Sequence, residues 1–168
     1  MLDKKTIQKS FELLNEEIKP KGVKGEICLY GGAVMCVAFD ARPSTKDVDA
    51  VFKPAEEIRE AAKRVARDMG LLEDWLNDGV KGFLVEHPRK IILDLSNLKI
   101  FIPEPDYLLA MKALASRADT SDAEDVRFLI KKLGLEKSED VFRIVEKYYS
   151  REQVRPATRF FIEEIFSS

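Results

Sequence analysis

The chain of 168 residues carries 28 Lys+Arg and 30 Asp+Glu, so its formal net charge is 28 − 30 = −2. That balance excludes a nucleic-acid binder held by bulk positive charge, although a local basic patch stays open. With 45% hydrophobic and 35% charged residues the chain is too apolar for wholesale disorder and long enough to bury a sizeable core. Two cysteines, Cys28 and Cys36, lie eight positions apart with no CxxC pair and no neighbouring histidine, which excludes a disulfide scaffold and argues against zinc. Both read as small packing residues in a reducing compartment. No run of eighteen apolar residues and no leader-like apolar stretch near the start is present, so a cytoplasmic protein is expected.

In chain order, Leu2, Ile7, Phe11, Leu14 and Ile18 fall at near-helical spacing, and Pro20 with Gly22 stops that helix. EICLYGG reads as a buried strand ending on Gly31–Gly32, and AVMCVAFD as a short helix. A loop, ARPST, leads to DVDAVF, whose alternation and valines predict a strand with Val48, Ala50 and Phe52 on the core face. Pro54 opens a helix with early acids, late bases and Gly70 at its end. LLEDWLNDGVKGF reads as a helical turn or loop anchored by Trp75, and FLVEH, KIILDL and LKIFI as strands.

Beyond Pro103 and Pro105 the pattern becomes helical: DYLLAMKALASR, SDAEDVRFLIKKLG, SEDVFRIVEKYYS and REQVRPATRFFIEEIF. Ser121 and Glu124 form a capping-box pattern. The expected architecture is α/β of the α+β kind, with a mixed sheet over residues 1–103 and a helical region over 104–168. The helical region is too rich in apolar stripes to stand alone and is expected to pack on the sheet, as a second part or within one compact domain.

The chemistry concentrates between Leu29 and Phe52. Gly31 and Gly32 lack Cβ atoms where a strand passes into a helix, so the backbone can approach a phosphate. Asp47 and Asp49 are two apart on a strand and project from one face. Two carboxylates so placed suit Mg²⁺ or Mn²⁺, which share their remaining positions with phosphates and water. Taken singly, a Gly-Gly pair is a tight turn and Asp-x-Asp a solvated edge. Together they form a minimal kit for phosphoryl or nucleotidyl transfer.

Gly31-Gly32, then Arg42-Pro-Ser-Thr-Lys-Asp47-Val-Asp49, resembles the signature of the nucleotidyltransferase (DNA polymerase beta-like) superfamily. The Arg-x-Ser/Thr-x-Asp-x-Asp form resembles the minimal branch that includes AbiEii-type toxin proteins, and WLND at 75–78 and PDYLLAMKALASR with DAEDV are similar to later segments of that branch. The resemblance spans most of residues 25–135. It implies a mixed-sheet core backed by helices, Mg²⁺ dependence, and transfer of a nucleoside monophosphate from a nucleoside triphosphate such as ATP. It further implies a third carboxylate from a later strand, for which Asp94 is the first candidate and Glu86 the second, either of which would otherwise be a surface acid.

Arg42 and Lys46 lie on the loop entering the acids, where they would neutralise triphosphate charge or remain solvated. Lys112 would reach the triphosphate or pair with Asp122 or Asp125. His87, beside Pro88, reads as a loop residue. Tyr148-Tyr149 with Arg151, Arg155 and Arg159 reads as a solvated helical face rather than an RNA patch, because acids are interleaved. Acceptors within this reading are tRNA, a protein side chain or a small molecule, with an antitoxin as a protein partner. A catalytically inert nucleotide-binding or toxin–antitoxin interaction domain is the alternative, and a metal-dependent phosphodiesterase a third.

Overall fold

The computed structural model describes residues 1–115 and 120–167, with the side chains of residues 115, 120 and 121 outside that description. The chain is mixed α/β and divides into two compact units, residues 1–84 with 89–103 and residues 85–88 with 104–168. Among the described residues no helix is long and apolar enough to cross a membrane.

In the first unit, helix α1 (Lys4–Ile18) starts where Asp3 accepts a hydrogen bond from the Thr6 amide at 2.8 Å, satisfying an otherwise orphaned donor. It ends in a 3-10 turn at Lys19–Lys21, as Pro20 demands. Strand β2 (Gly25–Tyr30) runs into the short helix α2 (Gly31–Val37). After α2 come β3 (Ser44–Thr45), β4 (Val48–Lys53), α3 (Ala55–Met69), β5 (Leu76–Asn77), β6 (Arg89–Asp94) and β7 (Leu98–Pro103). The five-stranded sheet has the order β5-β4-β2-β7-β6. Strand β2 pairs antiparallel with β4 and parallel with β7, so the sheet is mixed.

Pleating splits the sheet residues between two faces. Ala50, Leu29, Ile27, Ile100, Leu98 and Val48 are fully buried, and α1 and α3 pack against the strands carrying them. The bare Cα of Gly25 marks the convergence: a Cβ there would come 2.6 Å from Ile58 of α3 and 3.3 Å from Ile18 of α1. Phe52, expected on the core face, is only half-buried and lies under the Arg59 guanidinium, 5.4 Å from its ring centre.

On the other face, cross-strand register lines up Lys53, Glu26, Lys99 and Asp94, one from each of four neighbouring strands. The signs alternate, which is the arrangement that stabilises facing pairs. Burial pushes the Glu26 carboxyl up, but hydrogen bonds from Lys53 and Arg89 more than reverse this and hold it below its ordinary 4.5. A two-stranded ribbon of β1 (Leu2–Asp3) and β3 pairs Leu2 with Thr45 and Asp3 with Ser44. It ties the N-terminal segment to the loop before β4.

The expected strand FLVEH does not form. Phe83 closes a 3-10 turn (Gly79–Phe83), and residues 84–88 are irregular. The Val85 amide donates to the Tyr107 hydroxyl at 3.1 Å, and the His87 ring stacks on Tyr107 at 4.0 Å. These contacts take the polar and aromatic groups of the segment away from any strand ladder. Conversely, LLEDWLND contains β5, because Trp75 is anchored by its Nε1 donating to the Ala62 carbonyl at 2.9 Å.

The second unit contains α4 (Pro105–Ala115), α5 (Thr120–Lys132), α6 (Ser138–Tyr148) and α7 (Pro156–Ser167). Its core is Tyr107, Leu109, Ala113, Val126, Leu129, Val141, Val145 and Ile162, all fully buried. Helix α7 begins at Pro156 rather than Arg151, since Arg151–Gln153 forms a separate 3-10 turn and Pro suits the first helical position. The expected Ser121–Glu124 capping box lies outside the described residues.

Burial likewise raises the Asp106 carboxyl, but bonds from Lys147 and Tyr148 lower it overall below its ordinary 3.8. Carboxyls depressed in the fold contribute stability above their unfolded values, and that stability is lost as pH falls through the folded ones. Urea midpoints are therefore expected to be level near neutrality and to drop once pH passes below the ordinary values of 4.5 for Glu26 and 3.8 for Asp106. Glu26→Gln together with Asp106→Asn should flatten that acid limb.

Candidate functional site

Antiparallel pairing of β2 with β4 sets Tyr30 directly opposite Asp49. Gly31 follows at once, with φ +59°, a left-handed value that other residues adopt only with strain. A Cβ at Gly31 would stand 3.2 Å from Asp49 Oδ2, so the carboxylate lies over the bare Cα. At Gly32 a Cβ would come 2.7 Å from Thr45 Oγ1 and 2.8 Å from an Arg42 guanidinium nitrogen. Glycine at both positions is what lets Asp49, Thr45 and Arg42 close onto the turn.

Asp47 stands one residue before β4 and is half-buried, and Asp49 is the second residue of that strand. The Thr45 hydroxyl donates to the Asp47 carbonyl at 3.1 Å, fixing the backbone between them. Lys46 is exposed on the same loop. Hence Gly31, Gly32, Arg42 and Asp49 come together, while Asp47 and Lys46 sit on the adjoining loop.

Asp94 does not join them. It pairs with Lys99, whose neighbour on β2 is Glu26, whereas Asp49 is opposite Tyr30 at the other end of that strand. Four residue steps at about 3.3 Å separate those levels by roughly 13 Å. Asp94 instead lines an open cavity of about 720 Å³ with Lys24, Glu26, Lys53 and Lys99. Glu86 is exposed and belongs to the helical unit. Among the described residues, no group of three His, Cys, Asp or Glu side chains is placed to hold a metal ion.

Lys112 also belongs to the helical unit. Its ammonium lies 2.6 Å from Asp122 and 2.9 Å from Asp125, with only 13% of its side chain exposed and 3% of that of Asp125. This is the ion-pair arrangement the spacing allows. Lys112→Met takes the cation away from the buried Asp125 carboxylate and is expected to lower stability in urea unfolding by about 3–5 kcal/mol. Lys112→Met with Asp125→Leu should recover part of it. In the basic-aromatic stretch, Arg151 meets Glu139 at 2.6 Å and also Glu146, and Tyr148 donates to Asp106.

Two contributors lie inside segments quoted for the resemblance without being singled out there. Asn77 is the register partner of Asp49 on β5, and its Oδ1 accepts from the Gly79 amide at 3.2 Å. Thr45 sits inside the motif, yet only the fold shows it bracing both Gly32 and Asp47. The chain matches no protein-family model, no curated protein and no solved structure.

Proposed function

We propose that the first unit is a nucleotidyltransferase of the minimal, AbiEii-like type, taking a nucleoside triphosphate with Mg²⁺ or Mn²⁺. The observation that supports it is the 3.2 Å approach between the Cβ position of Gly31 and Asp49 Oδ2, the second acid of the motif, at the glycine turn. Asp47 and Asp49 would hold the cation. Their hard oxygen donors fit Mg²⁺, which binds through one or two carboxylates and completes its shell with phosphate and water. The ion, when bound, neutralises phosphate charge and acts as a Lewis acid at the α-phosphate.

Gly31 and Gly32 would admit the phosphates to the backbone, and Arg42 and Lys46 would neutralise them. The acceptor hydroxyl oxygen forms a bond to the α-phosphorus, the bond to pyrophosphate breaks, and the hydroxyl proton leaves to water. Acceptors remain tRNA, a protein side chain or a small molecule, and an antitoxin is the protein partner this reading brings. Buried, unpaired Cys28 and Cys36 accord with a cytoplasmic setting.

A second reading, nucleotide binding without turnover, is favoured by the position of Asp94 at the far end of the sheet from Asp49. Calorimetry with each NTP and Mg²⁺, run beside transfer of α-labelled NTP to cell-extract fractions, separates them. Binding with label transfer is expected, and binding without any labelled product supports the second reading. Absence of binding overturns both. Asp94→Asn should leave binding and transfer unchanged, and a loss of either would restore Asp94 to the site.

A further inference from the structure

The loop between α2 and β3 carries Arg42, and residues 2–4 grip it on both sides of that arginine. Two residues before Arg42, the Asp40 carboxylate accepts a hydrogen bond from the Lys4 ammonium at 3.1 Å. Two residues after it, Ser44 pairs with Asp3, and Thr45 with Leu2, in the β1–β3 ribbon. Leu2 is 6% and Thr45 5% exposed, so this end of the grip is shielded from water. The arm starts from a fixed point, because Asp3 also caps α1 by accepting from the Thr6 amide. Asp40 has φ +51°, a left-handed value that Asp adopts more readily than most residues. Just beyond it the Ala41 amide donates to the Met35 carbonyl of α2 at 2.8 Å. What this loop holds stands over the glycine turn: a Cβ at Gly32 would come 2.8 Å from an Arg42 guanidinium nitrogen and 2.7 Å from Thr45 Oγ1.

We infer that Leu2, Asp3 and Lys4 form a positioning arm for the phosphate site, holding the loop so that Arg42 stands over Gly32 before nucleotide arrives. This rests on the reading of Arg42 as a phosphate ligand. The arm acts through Arg42 and Thr45, not on the nucleotide itself. Its effect is preorganisation: an arginine on a loose loop must be ordered at the moment of binding, at the expense of affinity. Apparent affinity falls in proportion to the fraction of molecules whose loop is already in place. The two ends of the grip differ in strength. The Lys4–Asp40 pair is solvated, with side chains 42% and 70% exposed, so it is the weaker end. The ribbon joins strand pairing to a buried leucine, and a charge at position 2 would have to leave that buried place, opening the ribbon.

Calorimetry of the whole chain with ATP and Mg²⁺ tests this. Lys4→Met should raise the ATP dissociation constant about two- to five-fold, and Leu2→Asp about tenfold. Lys4→Arg keeps the charge and should bind as the wild type does. Asp40→Asn should match Lys4→Met, and the two together should lose no more than either alone. The deciding arm is Arg42→Ala: with the guanidinium gone, adding Lys4→Met should weaken ATP binding no further. Amide exchange at residues 41–46 should quicken in Lys4→Met and Leu2→Asp, while the urea midpoint of Lys4→Met moves little. If Lys4→Met and Leu2→Asp both bind ATP like the wild type, the inference is overturned and the nucleotidyltransferase reading stands. An undiminished loss in the Arg42→Ala background also overturns it, since residues 2–4 would then brace the unit as a whole. A wild type that binds no ATP overturns both.

Discussion

Asp49→Asn is expected to keep the fold and to lower metal-dependent nucleotidyl transfer by on the order of 10²–10³-fold, the loss typical of one strong electrostatic group at a reacting phosphate or acyl centre. The fold should stand because Asp49 is half-buried on the face of β4 opposite the fully buried Val48 and Ala50, and Asn preserves its shape. The transfer should fall because a neutral amide removes one of two anionic oxygen donors for the cation. Gly31→Ala supplies the second arm. Its Cβ would meet Asp49 Oδ2 at 3.2 Å, and φ +59° adds left-handed strain of about 1–2 kcal/mol. Alanine there acts partly by displacing the Asp49 carboxylate and partly by crowding the phosphates. The double variant should therefore lose less than the product of the two single losses. Fully multiplying losses would mean that Gly31 acts on phosphate alone and does not seat the Asp49 carboxylate. Wild-type turnover in Asp49→Asn would end the nucleotidyltransferase reading outright.

The sequence disclosed this part of the molecule because its signals are local. A strand running into two glycines and an Asp-x-Asp at period two each follow from a few adjacent residues; the strand and Asp49 appear where the periodicity puts them, while Asp47, expected on the strand, stands one residue before it. Most of α1, and α3, also appear where expected, with their breakers written beside them: Pro20 for the first, Pro54 and Gly70 for the second. Helix α1 starts only at Lys4, and Leu2, read with that helix, pairs with Thr45 in a strand instead. What could not be read was the relation between distant strands. Asp94 lies on a strand as the KIILDL pattern predicts, but its level in the sheet depends on the β6–β7 turn and on the parallel pairing of β7 with β2. Both are long-range choices that place an acid at one end or the other with no change in local pattern. FLVEH failed for a related reason. Its alternation is that of a half-buried strand, but the Val85 amide and the His87 ring find partners on Tyr107, and a side-chain hydroxyl competing for a backbone donor leaves no periodic trace. Asn77 lies in the quoted WLND segment, but a two-residue strand is too short to alternate, so its pairing with Asp49 left no periodic sign.

That short strand is where stability and site meet, and Trp75→Ala is expected to be the most damaging single core change. Trp75 is 2% exposed, packs against Phe11 with ring centres 6.3 Å apart, and donates to the Ala62 carbonyl. Deleting such a side chain costs about 3–5 kcal/mol, from lost transfer free energy and the cavity left behind. Its carbonyl also accepts from the Val48 amide at 2.7 Å, and the next two residues pair with Val48 and Asp49. Loosening Trp75 therefore releases the edge that flanks Asp49. Urea unfolding should show a lower midpoint with an unchanged slope. Amide exchange at residues 48–49 and 76–77 should quicken by more than the global loss predicts, because the edge opens before the rest of the unit. Trp75→Phe separates volume from hydrogen bonding: it keeps most of the apolar body, loses the indole donor, and should cost only about 1 kcal/mol. If Trp75→Ala cost no more than Trp75→Phe, packing against Phe11 would not be what holds β5 beside Asp49, and the backbone bond to Val48 would have to carry it alone.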